Sequence, residues 1–213
     1  MFKIGDVVTR NSYNNDIVFV ILDIKDDIAY LKGIDVRLYA DSDLSDLVLA
    51  SININNDKDR NDAKKIKDML NLDRNEYFYL PGKILHIDGD SDYLRRCIDF
   101  YKDMHLEAYG INLDEENFAK EIIPCLKKYN PDILVITGHD SFKKNKDKND
   151  LNNYQNSTNF VDATVKAREY ERNQEKLIII AGACQSFYED LIKAGANFAS
   201  SPKRINIHAL DPA

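Results

Sequence analysis

The chain has 213 residues and a net charge of −7, with 44% hydrophobic and 31% charged residues. This length suits one ordinary domain with a small companion module. The acidic balance argues against a protein that coats nucleic acid or anionic lipid, and no apolar run approaches the roughly 20 residues of a membrane helix. The N-terminal residues lack a signal-peptide pattern, and three widely spaced cysteines predict neither a disulfide framework nor a zinc site. We expect a cytoplasmic protein without a cofactor.

The first fifty residues contain short β-branched and aromatic runs that are separated by Asn- and Asp-rich turns. Three or four strands in so short a stretch predict a small SH3-like β-barrel over residues 1–52. This module is either a folding appendage or a docking module, and its sequence marks no ligand groove. A polar stretch follows, and we interpret residues 53–82 as a linker with one helix that ends at Pro81-Gly82.

Residues 83–213 alternate between apolar runs and segments of helical periodicity, four times in succession. The predicted strands are KILHIDGD, LEAYGINL, PDILVITGHD and KLIIIAGACQS, and the predicted helices are SDYLRRCIDFYKDM (with Ser91 as N-cap), DEENFAKEIIPCLKKYN, FVDATVKAREYERN and FYEDLIKAGANFA. A lysine-rich stretch, residues 141–159, predicts a long mobile loop. Cys97 and Cys125 are expected in the core. The alternation predicts a mostly parallel sheet flanked by helices, and therefore an α/β domain.

Open parallel sheets bind ligands at the carboxyl ends of their strands. Two of the predicted strand ends carry His139 and Cys184, and we expect their strands to be neighbours. In that arrangement the histidine deprotonates the thiol, and the thiolate attacks a carbonyl group. The helix predicted after Cys184 is expected to lower the pKa of its thiol. The residues expected to support an oxyanion hole around this pair are Gly138, Asp140 and Ala183.

The residues at these strand ends also resemble a known group of enzymes. A small-residue turn before Cys184, preceded by a glycine–histidine turn after the previous strand, resembles caspase-like cysteine peptidases such as gingipains, clostripain and legumain. More closely, the blocks FKIGDVVTR, KILHIDGD, VITGHDS, AGACQS and SSPKRINIHALDP are similar to the YabG family of sporulation-specific cysteine peptidases along the whole chain.

This resemblance implies a caspase-like domain over residues 83–213, with His139 and Cys184 as catalytic residues. It further implies processing of spore coat and germination-related proteins, cleavage after arginine and self-cleavage, in the mother cell or at the forespore or spore surface. Members of the family continue past the position of Ala213, so the domain is expected to be C-terminally incomplete, which leaves the activity of this chain open.

An arginine preference requires an acidic pocket, and the nearest candidates by topology are Asp88, Asp90 and Asp140. Asp140 can alternatively orient His139 or cap the loop that follows. Two other functions stay open. The segment HIDGD resembles the start of haloacid dehalogenase-type phosphatases, in which Asp88 and Asp90 would hold Mg²⁺. The chain can also be a non-catalytic doubly wound binding domain, in which Cys184→Ala would change nothing.

Overall fold

A computed structural model describes residues 2–50 and 81–213. Within these residues the strands form two five-stranded sheets, one at each end of the sequence. The predicted linker helix lies outside the described residues, as does all of the predicted linker before Pro81. None of the helices in the described part of the chain combines the length and apolar character needed to cross a bilayer.

The N-terminal sheet is antiparallel, with the strand order β4-β3-β2-β1-β5. Its strands are β1 (Val7–Arg10), β2 (Phe19–Lys25), β3 (Ile28–Gly33), β4 (Tyr39–Asp43) and β5 (Leu47–Leu49). Asp26 and Asp27 join β2 to β3 with φ values of 49° and 67°. Positive φ at both central residues is the conformation of a two-residue type I′ hairpin, so the tight turn predicted there is confirmed. Closure of this sheet into an SH3-like barrel stays a prediction.

The second sheet is parallel throughout, with the order β10-β9-β8-β6-β7. Its strands are β6 (Ile84–Asp88), β7 (Ala108–Asn112), β8 (Ile133–Thr137), β9 (Ile178–Ala181) and β10 (Phe198–Ala199). The helices are α1 (Ser91–Asp103), α2 (Phe118–Tyr129), α3 (Ser157–Tyr170) and α4 (Tyr188–Lys193). The predicted strand–helix alternation and parallel sheet are therefore confirmed, whereas the caspase-like arrangement stays a prediction.

The order of the strands places a topological switch point between β6 and β8. From β6 the chain moves to β7 on one side of the sheet, and then returns to β8 on the other side. The crevice outside the carboxyl ends of β6 and β8 is the place where such sheets bind ligands. Since β8 also pairs with β9, the expectation that the strands before His139 and Cys184 are neighbours is confirmed.

The core of the second sheet explains why its strands are almost wholly apolar. Helices cover both faces of the central strands, so residues of either parity are buried along β6 and β8. Leu85, Ile87, Leu134 and Ile136 are 1% exposed or less and pack against apolar side chains of α2 and α3. Cys97 and Cys125 are buried, as predicted.

Two helix boundaries differ from the prediction. The N-cap of α1 is Asp90 rather than Ser91, because its carboxylate accepts hydrogen bonds from the main-chain N–H groups of Asp92 and Tyr93. The last predicted helix, over residues 187–199, ends at Lys193. Gly195 has a φ of +103°, which breaks the helix and lets Phe198–Ala199 pair with β9.

The lysine-rich segment after β8 contains more regular structure than its composition predicts. Phe142 and Tyr154 form an isolated antiparallel bridge, and Leu151–Asn153 is a turn of 3₁₀ helix. The main-chain N–H of Gln155 donates to the carbonyl of Ser141 at 2.9 Å. Hydrogen bonds thus close the base of this loop, and α3 begins at Ser157, three residues earlier than predicted.

Candidate active site

His139 and Cys184 follow neighbouring strands at the carboxyl edge of the parallel sheet. Thr137 is the last residue of β8 and Ala181 is the last residue of β9. Each candidate therefore lies two or three residues beyond its strand, as the sequence predicted. No hydrogen bond joins these two described side chains in this conformation, and each has partners of its own.

The imidazole of His139 is held in one orientation. Its Nε2 lies 3.0 Å from Oδ2 of Asp90, and an ionised carboxylate can only accept, so Nε2 carries the proton. The Nδ1 atom is buried and has no hydrogen-bond partner among the described residues. The rings of Tyr39 and Tyr93 flank the imidazole, with centroids 4.1 and 5.7 Å away. The neutral imidazole in this arrangement carries its acceptor lone pair on Nδ1, which is what a general base requires.

Asp90 makes most of the polar contacts around His139. Besides the imidazole and two main-chain N–H groups, its carboxylate binds Lys32 Nζ at 2.7 Å and the Tyr39 hydroxyl at 3.1 Å. Burial opposes the ionisation of this carboxyl group. Hydrogen bonds from His139 and Lys32 outweigh burial and hold the pKa of Asp90 well below its usual range. Asp90 is therefore an anion, and two side chains of the N-terminal sheet complete its surroundings.

Asp88 lies beside Asp90 and is paired with an arginine. Its Oδ2 accepts hydrogen bonds from Arg37 Nη1 at 2.7 Å and from Thr137 Oγ1 at 2.8 Å, and both ionic side chains are 0% exposed. Burial acts to raise the pKa of Asp88, but the Arg37 cation prevails and holds it well below the usual range. Burial also lowers the pKa of the neighbouring His86, which favours its neutral form.

Cys184 is buried in a sharp turn after β9. Gly182 and Gln185 both have positive φ, at 112° and 57°, so the chain reverses around the cysteine. The thiol accepts a hydrogen bond from the main-chain N–H of Ile207 at 3.2 Å. Burial raises the pKa of Cys184 to about 11. The expectation of a lowered pKa is therefore wrong for this conformation, because burial has the largest influence on the thiol. The helix after the cysteine begins only at Tyr188 and has six residues.

Asp140 connects the turn after β8 to the turn after β9. Its Oδ2 accepts a hydrogen bond from the Ser157 hydroxyl, and its Oδ1 accepts from the main-chain N–H groups of Ser141 and Asn156. The Ser157 oxygen in turn accepts from the N–H of Phe187. Burial raises the pKa of Asp140. These contacts give Asp140 a structural role, that of holding the loop after His139 against the cysteine turn.

The predicted oxyanion donors are occupied in this conformation. The main-chain N–H of Ala183 donates to the Ser186 hydroxyl at 2.8 Å. Next to Gly138, the N–H of His139 donates to Oε1 of Glu115, also at 2.8 Å. A peptide carbonyl would therefore have to displace one of these acceptors before either group could stabilise an oxyanion.

The phosphatase alternative receives no geometric support. Asp88 and Asp90 face cations of the chain itself, so neither presents the free carboxylate pair that Mg²⁺ would bind. Within residues 2–50 and 81–213 there is no group of three or more His, Cys, Asp or Glu side chains that could hold a metal ion.

Sequence reasoning missed four residues that shape this site. Arg37, Lys32 and Tyr39 belong to the N-terminal module and carried no local motif. Glu115 follows β7, so the rule that parallel sheets bind ligands at the carboxyl ends of their strands could have identified it. Its carboxylate lies over two glycines at the ends of β6 and β8, positions where a Cβ atom would collide with it.

Comparison with known proteins adds independent information. Residues 3–213 match the model of a family described as YabG peptidase U57. The chain is also 43% identical to the sporulation-specific protease YabG of Bacillus subtilis (strain 168) over 242 residues, an alignment that covers 99% of this chain and 82% of that relative.

Proposed function

The chain belongs to the YabG peptidase family U57, and we propose that it is a cysteine endopeptidase in which Cys184 is the nucleophile and His139 is the general base. Membership of the family makes it a sporulation protease. The thiol mechanism rests on one structural observation. A histidine whose buried Nδ1 has no hydrogen-bond partner in the described part of the chain and a cysteine follow adjacent parallel strands at the ligand-binding edge of the sheet.

The proposed reaction follows from the protonation states of these two side chains. A thiol with a pKa of about 11 is protonated at neutral pH, so it must lose its proton as it attacks. His139 Nδ1 takes that proton while Asp90 holds Nε2–H. The thiolate adds to the peptide carbonyl, the C–N bond breaks, and the imidazolium returns the proton to the leaving amine. Water then hydrolyses the thioester and restores the thiol.

We assign cleavage after arginine, and spore coat and germination-related proteins as substrates, from the resemblance to the family. Asp90 binds His139, and Asp140 accepts hydrogen bonds from main-chain N–H groups, so we do not propose either as an arginine-binding group. Of the three acidic candidates, Asp88 is the one whose partner in this structure is a guanidinium group.

The test is co-expression with an arginine-containing coat-type substrate, followed by mass spectrometry of the products. Cys184→Ala and His139→Ala should each abolish cleavage, whereas Cys125→Ala, a buried cysteine on α2, should retain it. A C-terminally extended version of the chain is compared in the same assay. Cleavage by Cys184→Ala at the rate of the parent would refute the thiol mechanism.

A further inference from the structure

Arg37 occupies a pocket at the carboxyl edge of the parallel sheet, although it belongs to the N-terminal module. Its guanidinium binds Asp88 through Nη1 at 2.7 Å, donates from Nε to the carbonyl of Ala209 at 3.0 Å, and contacts Cys97 Sγ through Nη2 at 3.5 Å. The guanidinium carbon lies 4.9 Å from the centroid of the Tyr93 ring. A carboxylate, a carbonyl and an aromatic face are the groups that recognise the planar, charged guanidinium of arginine.

The main chain around Arg37 pairs with the segment that covers Cys184. Val36 and His208 form an antiparallel bridge. The N–H of Arg37 donates to the Ile207 carbonyl at 3.1 Å, and the N–H of Ala209 donates to the Asp35 carbonyl at 3.0 Å. An extended peptide that pairs with a strand beside a nucleophile is a common way of presenting main chain for recognition.

The thiol lies where this pairing would continue. In an antiparallel ladder, residues 37 and 207 would exchange both of their main-chain hydrogen bonds, so the Ile207 N–H should donate to the Arg37 carbonyl. It donates instead to Cys184 Sγ, at 3.2 Å. The Cys184 thiol therefore takes the position that the Arg37 carbonyl oxygen would hold in a continued ladder.

A tight turn explains why Arg37 leaves the ladder. The N–H of Leu38 donates to the Val36 carbonyl at 2.8 Å, which closes a three-residue γ-turn with Arg37 at its centre. The Tyr93 hydroxyl lies 2.6 Å from the Gly33 carbonyl oxygen and 2.9 Å from that of Val36, so its single proton is shared between these two acceptors. These bonds hold the segment in place while its central carbonyl turns away from the paired strand.

We propose that the Asp88 pocket is the site that selects an arginine side chain in substrates, and that residues 35–38 fill it as an internal substrate mimic. This inference rests on the proposed function for its biological meaning, but its geometry stands without the thiol mechanism. An ion pair that only joined the two sheets would require neither strand pairing next to Cys184 nor a bend at the carbonyl. The candidate nucleophile, which shares Ile207 with Arg37 as a hydrogen-bond partner, is 0% exposed.

Arg37→Ala removes the side chain that fills the Asp88 pocket. The proposal can then be tested by ligand binding, which requires no catalysis. The probe is Nα-acetyl-arginine methylamide, the control ligand is its uncharged citrulline analogue, and binding is measured by calorimetry. We expect the arginine amide to bind Arg37→Ala at least tenfold more tightly than the citrulline analogue. The parent, the Arg37→Ala/Asp88→Asn double variant and Arg95→Ala, which removes an exposed arginine on α1, should not bind it.

Alkylation of Cys184 by iodoacetamide, located by peptide mapping, provides a second readout. We expect the rate in Arg37→Ala to exceed that of the parent and of Arg95→Ala by at least tenfold. If Arg37→Ala does not fold, Arg37→Lys keeps a cation beside Asp88, and added arginine amide should then displace the substituted side chain and accelerate labelling. Self-cleavage at the Arg37–Leu38 bond in the parent would also support the proposal.

Two results together would overturn the assignment. The folded Arg37→Ala variant would bind neither amide or bind both equally, and its Cys184 would be labelled no faster than in the parent. Because binding and labelling need no peptide hydrolysis, that result differs from a failure of the proposed function. If Cys184 were not the nucleophile, Arg37→Ala would still bind the arginine amide, and only the predictions about peptide cleavage would fail.

Discussion

Removal of the Arg37 side chain should cost the protein a large part of its stability near neutral pH. The guanidinium and the Asp88 carboxylate are both fully buried, so Arg37→Ala leaves an anion without a counterion in the interior. Breaking a buried ion pair on one side typically costs about 3 to 5 kcal/mol in the free energy of unfolding. The Thr137 hydroxyl and the N–H of Asp90 still contact Asp88, which favours the lower half of that range.

The pH dependence of this loss has a definite sign. In the parent, the pKa of Asp88 lies below its unfolded value, so the stabilisation is present above about pH 4 and is lost as pH falls through the lowered folded pKa. In Arg37→Ala the cation that lowers the pKa of Asp88 most is gone while burial, which raises it, remains, so Asp88 takes up a proton at higher pH than in the parent. The difference between parent and variant should therefore shrink as pH decreases.

Urea unfolding of the parent and Arg37→Ala between pH 7 and pH 4 measures this difference directly. The Arg37→Ala/Asp88→Asn double variant has no buried charge at this site, so it should recover part of the lost stability at pH 7 and show no such pH dependence. A difference between parent and Arg37→Ala below about 1 kcal/mol at pH 7, or one that grows towards acid pH, would refute the reasoning.

Three further changes test the site and the turns that support it. Asp90→Asn should lower kcat for peptide cleavage by about 10²-fold with little change in KM, because asparagine still caps α1 but no longer provides a negative charge for His139. The control is Asp92→Asn, at an exposed neighbouring residue, which should leave kcat unchanged. Equal losses of kcat in the two variants would contradict the role of Asp90 in positioning His139. Tyr93→Phe should lower the free energy of unfolding by about 1 to 3 kcal/mol, measured in urea, since the Gly33 and Val36 carbonyls lose the one hydroxyl proton that they share. Gly182→Ala should cost about 1 to 3 kcal/mol, because φ is +112° and a Cβ atom would lie 2.9 Å from Leu191 Cδ1. The control is Gly5→Ala, because Gly5 has a φ of +90° but no atom near the added Cβ, so it measures backbone strain alone. Equal losses of stability in the two variants would show that the contact with Leu191 is unimportant.

The parallel sheet and the positions of His139 and Cys184 were predictable because they depend on local patterns. Apolar runs alternate with helical segments, and the strand-end rule then selects the residues that follow each run. The helix limits were less predictable. Asp90 rather than Ser91 caps α1, since either residue type suits that position and the backbone decides between them. Gly195 ended the last helix where an apolar pattern continued.

The contacts across the two sheets could not be predicted from the sequence. Arg37 is 51 residues from Asp88, and Lys32 is 58 residues from Asp90, so no spacing rule relates them. Each cation appeared as an isolated basic residue of a module without a recognisable groove. The same absence of a long-range signal explains the wrong expectation for the thiol, because the burial that raises the pKa of Cys184 exists only in the folded chain.

Glu115 has a consequence for how this chain can diverge. Its carboxylate lies over both Gly89 and Gly138, and a Cβ atom built on Gly138 would lie 2.6 Å from Oε1. A larger residue at either glycine is therefore compatible only with a shorter or displaced side chain at position 115. In an alignment of relatives these three positions should covary, with glycine retained at both strand ends wherever glutamate is present.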